Sequence, residues 1–113
     1  SSDVCSSDLL LAGGGADVTG EGVSAVTADL ELGPIAALAD GSVVIAERGR
    51  DRLRRIAGGV ITTLAGVSGM GGFMGDGAAA SSARVDLPDG VEAWRGSHVL
   101  FVDTNNARVR AVW

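Results

Sequence analysis

The feature that most constrains the fold of this chain is an internal repeat. Three segments of the first half return in the same order in the second half, about 53–56 residues later. The pairs are Leu9–Gly15 with Thr62–Gly69, Gly20–Leu32 with Gly75–Leu87, and Gly41–Ile56 with Gly96–Val112, the last after one inserted residue. A period of this length is typical of proteins that stack similar supersecondary units. The chain therefore contains two related units.

Each unit consists of short apolar or β-branched stretches separated by turn residues. The stretches are Ile35–Ala39, Val43–Ala46, Arg52–Ile56 and Val60–Leu64, then Val91–Trp94, His98–Val102 and Ala107–Val112. Short strands at roughly ten-residue spacing indicate an antiparallel all-β fold, and four per repeat favour propeller blades over a sandwich. We predict a partial β-propeller of about two four-stranded antiparallel blades. Residues 10–66 form the first blade, and residues 67–113 form a connection and an incomplete second blade.

The second unit carries residues that resemble a known family. Val99–Val112 (VLFVDTNNARVRAV) is similar to the signature of NHL-repeat β-propellers, in which an apolar strand ends in Asp, Asn follows in the turn, and Arg opens the next strand. Gly75–Val91 resembles the longer connection of bacterial, often secreted, NHL proteins. The resemblance covers Leu10–Trp113 and implies an extracellular or periplasmic location. The first unit departs from it at the turn, with Arg48–Asp51 in place of Thr104–Ala107.

An acidic residue precedes each of these turns, and an Arg follows five residues later. Glu47 is followed by Arg52, and Asp103 by Arg108, so each acid can clamp its hairpin through an ion pair. A structural turn is also the interpretation we favour for Gly75, Asp76 and Gly77, since one acid is too few for a calcium loop.

The same turns supply the candidate binding residues. These are Arg48, Arg50, Asp103, Asn105 and Asn106. Three further Arg side chains, of Arg52, Arg54 and Arg55, make the segment Arg48–Arg55 strongly basic. No aromatic residue lies among them, although recognition of single-stranded nucleic acid favours aromatic side chains beside the positive charge. Hairpin clamps and solvated strand edges explain this cluster better than nucleic acid binding does.

Several catalytic motifs are excluded by inspection. The glycine-rich stretch Gly66–Gly77 does not match a phosphate-binding loop, and a Walker loop needs a Lys that this chain lacks. His98 is the only histidine, which excludes metal sites with two histidines within this sequence. No apolar run approaches the length of a membrane span, about 20 residues.

The resemblance suggests three functions. The first is a non-catalytic scaffold that binds protein or carbohydrate, needs no cofactor, and has the remaining blades of the propeller as partners. The second is part of a six-bladed enzyme, lactonase- or lyase-like, with a divalent metal in a central channel to which Asp103 or Asn105 contributes. The third is an RNA-binding propeller. A full-length sequence would discriminate them, because channel sites draw on every blade.

The first nine residues differ in composition from the rest. Ser1–Leu9 (SSDVCSSDL) is what one frame of a common sequencing adapter encodes, and we expect this segment to be non-native. Cys5, the only cysteine, then gives no information on redox environment. Because each unit alone cannot bury its apolar face, we also expect the chain to be insoluble, or soluble only as oligomers.

Overall fold

The computed structural model describes residues 10–18, 20–67 and 84–112, and its strands form two antiparallel sheets. The only helical elements in these ranges are three single 3-10 turns. None of them has the length or apolar character that crossing a membrane would require. The predicted all-β antiparallel class is therefore confirmed for the described residues.

The first sheet has five strands. They are β1 (Val23–Ser24), β2 (Ile35–Ala37), β3 (Val43–Glu47), β4 (Arg52–Ala57) and β5 (Val60–Gly66), in the order β1-β5-β4-β3-β2. Strands β2 to β5 form an up-and-down meander in which each strand pairs with the next. The prediction of four strands missed β1, which has only two residues and so shows no alternation.

The second sheet has three strands, as the second unit predicts. They are β6 (Pro88–Trp94), β7 (His98–Asp103) and β8 (Arg108–Val112), again joined as a meander. The segments Val43–Ala46 and Val99–Val102 are thus strands of two different sheets, as the sequence predicted.

The β3–β4 and β7–β8 connections share one backbone conformation. Each is a single 3-10 turn, Arg48–Arg50 in the first sheet and Thr104–Asn106 in the second. Each is closed by a left-handed residue other than glycine, with φ of 56° at Asp51 and 54° at Ala107. All four residues differ between the two turns, so their shared shape must come from the flanking strands and their contacts.

Each sheet has two faces, which we call front and back. Cross-strand partners share a face, and the register then assigns every strand residue to one of the two. The front face carries Val43, Ile45 and Ile56 in the first sheet and Val99, Phe101 and Val112 in the second; the back face carries Val44, Ala46 and Leu53, then Leu100, Val102 and Val109. The sequence repeat aligns these two sets position by position.

The back face of the first sheet packs on the front face of the second. One apolar core contains Val44, Leu53, Val99 and Phe101, and Val85 from the connection is fully buried in it. The front face of the first sheet is partly covered by the preceding segment of the chain, whose buried residues pack on Ile56 and Ile61 in a separate cluster. The sheets therefore meet through unlike faces.

Candidate functional site

Two fully buried carboxylates organise the polar part of this molecule. Glu47 ends β3 and Asp103 ends β7, and both side chains have 0% exposure. A charge removed from water must be matched by donors or by opposite charge. We call the segments that follow them turn 1 (Glu47–Arg52) and turn 2 (Asp103–Arg108).

In turn 1 the carboxylate is surrounded mainly by guanidinium groups. Arg50 Nη1 lies 3.0 Å from Glu47 Oε2, and Arg52 donates through Nε to Glu47 Oε1. Arg54 Nη1 lies 3.8 Å from the same Oε1. The backbone N–H of Glu31 donates to Oε2 at 2.9 Å. Glu47 thus fixes its own hairpin and the segment that leads into β2.

In turn 2 the carboxylate has a different set of partners. The backbone N–H of Asp86 donates to Asp103 Oδ1 at 2.8 Å. Asn106 Nδ2 and Arg110 Nη1 each lie 3.0 Å from Asp103 Oδ2. Arg108 faces Asp103 in the strand register, and its Nη1 donates to the carbonyl oxygen of Asn106 at 2.9 Å.

Both clamps predicted from the sequence involve these carboxylates, but in turn 2 the Arg that forms the ion pair is not the predicted one. Glu47 and Arg52 form the expected ion pair. For Asp103 the structure gives an ion pair with Arg110, which lies on the same strand face as Arg108 but two residues further along β8. The Arg that pairs with Asp103 therefore comes from inside strand β8 and not from its first residue.

Arg54 occupies the most buried position in the basic cluster, with 1% of its side chain exposed. Its Nη2 donates to the carbonyl oxygen of Gly20 at 2.6 Å, and Nη2 lies 3.4 Å from the Glu21 carboxylate. Burial lowers the pKa of the Arg54 guanidinium, and the nearby Arg52 lowers it further, while Glu21 and Glu47 raise it. The expectation of solvated strand edges is therefore wrong for Arg54, whose side chain is buried near Glu47, whereas buried Arg52 forms the hairpin clamp predicted for it.

Polar contacts also join turn 1 to the second sheet. Arg48 Nε lies 2.8 Å from Asp89 Oδ1, with both side chains half exposed. The Asp51 carboxylate accepts a hydrogen bond from the backbone N–H of Leu87 at 3.0 Å. Turn 1 thus positions the start of β6, and these contacts fix how one sheet sits on the next.

The predicted binding residues divide between the two turns and have protein partners. In turn 1, Arg48 pairs with Asp89 and Arg50 with Glu47. In turn 2, Asp103 and Asn106 bond to each other, while exposed Asn105 donates through Nδ2 to Asp86 Oδ1 at 3.0 Å. The remaining predicted turn, Gly75, Asp76 and Gly77, lies outside the described residues.

Sequence reasoning missed four acids that complete these networks, namely Glu31, Asp51, Asp86 and Asp89. A usable signal existed for two of them, because an acid precedes the last Leu of the repeated segment in both units, as Glu31-Leu32 and Asp86-Leu87. In the structure both residues donate a backbone N–H to the buried carboxylate of their own unit.

The chemistry of the two carboxylates is that of a filled acceptor site. Each oxygen of Glu47 and Asp103 has at least one protein donor or cation within hydrogen-bond distance. Among the described residues, no three His, Cys, Asp or Glu side chains are grouped as a metal ion would require. The carboxylates therefore hold the backbone of the two turns in place. The exposed polar side chains of the turns include Arg48 in turn 1 and Thr104, Asn105 and Arg108 in turn 2.

Comparison with known protein families and with curated proteins found no match for this chain. Its function must therefore be inferred from the fold and from the two turns.

Proposed function

We propose that this chain is part of an NHL-type β-propeller that serves as a non-catalytic scaffold and binds protein or carbohydrate through its turns. In this proposal the two sheets are successive blades, and turn 1 and turn 2 are equivalent positions on one rim. The proposal rests on the resemblance of Val99–Val112 to the NHL signature and on the geometry of the turns.

The single observation that carries it is the packing of unlike faces by equivalent sheets. A propeller requires that the back of each blade cover the front of the next, all around the ring. The first sheet covers the second in this sense, through Val44 and Leu53 on Val99 and Phe101. A sandwich of two equivalent sheets related by a two-fold axis would instead bury the same face of both sheets.

The turns supply the groups that a ligand would meet. Arg48 and Asn105 are exposed side chains held beside buried carboxylates, one in each turn. A guanidinium and an amide, with the carboxylates of Asp86 and Asp89 next to them, offer donors and acceptors to the hydroxyls of a sugar or to a peptide backbone. A rigid backbone under these groups lowers the ordering cost of binding.

The test is binding of the full chain to a glycan array, with the double variant Arg48→Ala, Asn105→Ala beside it. We expect a glycan signal that the double variant lowers at least tenfold. Thr62→Ala, an exposed change on β5 away from both turns, is the matched control and should leave the signal unchanged. A signal that both variants retain would contradict the role of the turns.

Two further assays on the same chain test the two alternative functions. Hydrolysis of a lactone panel that stops on addition of a chelator would favour the propeller enzyme. Retention of a single-stranded RNA that weakens steeply with salt would favour the third function. Either result, with no glycan signal, would overturn the scaffold proposal.

A further inference from the structure

The two ends of the molecule expose complementary apolar faces. The back face of the second sheet forms an open groove of about 230 Å³ whose lining includes Leu100, Val102 and Val109, with Glu92 as its one charged residue. Val102 is 43% exposed and Val109 is 70% exposed. A cluster of apolar side chains with this much exposure marks an interaction surface.

The front face of the first sheet forms the second groove, of about 350 Å³. Its lining includes Val43 and Ile56 of the sheet and Leu10 and Val26 of the preceding segment, and no charged residue lines it. Ile35 lies on the same face, because it is the cross-strand partner of Ile45, and it is 65% exposed.

The junction inside the molecule shows how two such faces fit. There, Val44, Ala46 and Leu53 of the back face pack on Val99, Phe101 and Val112 of the front face. By the sequence repeat, Leu100, Val102 and Val109 stand at the positions of Val44, Ala46 and Leu53, and Val43 and Ile56 at those of Val99 and Val112. Ile45, at the position of Phe101, is itself buried, so the front groove repeats its half of the internal interface through Val43 and Ile56.

We propose that a second copy of this chain docks head to tail, with the back face of its second sheet on the front face of the first sheet of the next copy. The contact is heterologous, so each copy keeps one of its two faces free, and the pair still exposes one face of each kind. Such a contact continues until it closes into a ring or extends as an open assembly. The inference rests on the packing of the two sheets and is independent of the ligand proposed above.

The junction between copies differs from the internal one in its polar contacts. Inside the chain, Arg48 pairs with Asp89, and Asp51 accepts the Leu87 N–H. At the free end, turn 2 has Thr104 at the position of Arg48 and Ala107 at that of Asp51. The contact between copies therefore lacks these two polar contacts and depends mainly on apolar surface, so substitution of one exposed apolar side chain should disrupt it.

The test is the mass of the full 113-residue chain by light scattering after size exclusion, over a range of concentrations. We expect the mass of the natural sequence to rise with concentration beyond that of a dimer. Val109→Asp removes the back face and Ile35→Asp removes the front face, and each variant alone should be a monomer. Mixed in equal amounts, they should form a dimer and nothing larger, since each still offers the face that the other lacks.

Leu32→Asp is the matched control, because Leu32 is 82% exposed but lines neither groove. It should associate as the natural sequence does. Far-UV circular dichroism checks that each variant keeps its strands, and Val109→Lys replaces Val109→Asp if the acid prevents folding. The proposal is overturned if the natural sequence stays monomeric, if the mixed variants do not pair, or if Leu32→Asp dissociates the assembly as well.

Discussion

Turn 1 and turn 2 have one backbone and two different charge arrangements. Glu47 lies within reach of the guanidinium groups of Arg50, Arg52 and Arg54. Asp103 has an ion pair with Arg110 and a neutral donor in Asn106. In both turns the carboxylate accepts a backbone N–H from the segment that leads into the sheet.

The difference teaches which part of the site the fold requires. A buried acceptor at the end of the second strand of the meander is common to both units, and so is the backbone donor it holds. The number of surrounding cations is not common to both. The acceptor is therefore the structural element, and the cations are how each unit neutralises it.

The largest effect is expected from Glu47→Gln, which removes the charge that Arg52 and Arg54 enclose. Buried Arg52 then loses the carboxylate to which its Nε donates, and buried Arg54 loses one of its two carboxylate partners, so we expect the free energy of unfolding to fall by about 3–5 kcal/mol. Urea denaturation at neutral pH measures it. Glu21→Gln is the control, since Glu21 is 52% exposed in its pair with Arg54 and should cost under about 1 kcal/mol. Equal losses in the two variants would refute the central role of Glu47.

Asp103→Asn tests the second turn in the same way and should cost less. Asn keeps an acceptor for the Asp86 N–H, and the Arg110 ion pair is the principal loss, so we expect about 1–3 kcal/mol. The same urea experiment compares it directly with Glu47→Gln. If Asp103→Asn is the more damaging of the two, the cation count does not govern the stability of these turns.

The left-handed residues that close the two turns should respond differently to replacement by glycine. Ala107→Gly relieves an unfavourable φ and should stabilise the chain by about 0.5–1 kcal/mol. Asp51→Gly gives the same relief but loses the bond to the Leu87 N–H, worth about 0.5–1.5 kcal/mol, so it should be neutral or destabilising. Thermal unfolding midpoints measure both. Equal increases in the unfolding midpoints of the two variants would show that the hydrogen bond between Asp51 and the Leu87 N–H contributes nothing to stability.

The smallest effect concerns pH and the β2–β3 turn. Hydrogen bonds from the Ser42 side chain and backbone, with Arg55 nearby, hold the pKa of the Asp40 carboxyl below its usual range. Because the pKa of Asp40 is lower in the folded state, the ionised carboxylate stabilises the fold fully at a pH above its unfolded pKa, which is near 4. This stabilisation is lost as the pH falls through the folded-state pKa. Asp40→Asn should make the free energy of unfolding less dependent on pH below about 4.

Acid titration followed by urea denaturation at each pH measures this dependence. Ser42→Ala removes the first of the causes and should reproduce part of the change. A natural chain and an Asp40→Asn chain with the same slope between about pH 5 and pH 2 would contradict the assignment.

Much of the fold was predictable because it depends on local patterns. Val43–Ala46 and Val99–Val102 are β-branched or apolar runs next to turn dipeptides, and such runs form strands wherever they can be buried. The repeat then fixed how many sheets to expect. Strand β1 was not predictable, since Val23–Ser24 pairs with β5 only through its position in the fold.

The site was less predictable because its partners come from distant segments. Arg54 sits in a strand whose charged residues suggested solvent contact, and its burial depends on Glu47, Glu21 and the Gly20 carbonyl oxygen. The acid–Arg spacing led to Arg52 and Arg108. The spacing gave no indication that Asp103 would pair with Arg110. That ion pair is set by how Asp103 is held in the fold, where it also accepts the backbone N–H of Asp86, a residue 17 positions earlier in the chain.

The bond between Asp51 and the Leu87 N–H carries a consequence for the order of folding. Both residues have positive φ, at 56° and 57°, and neither is glycine, so each is held in place by its surroundings. The β3–β4 hairpin can close on its own, from residues within about ten positions of each other, whereas the start of β6 is fixed by a contact 36 residues back. Because Asp51 belongs to the first unit, the start of β6 can be held in this position only once turn 1 has formed.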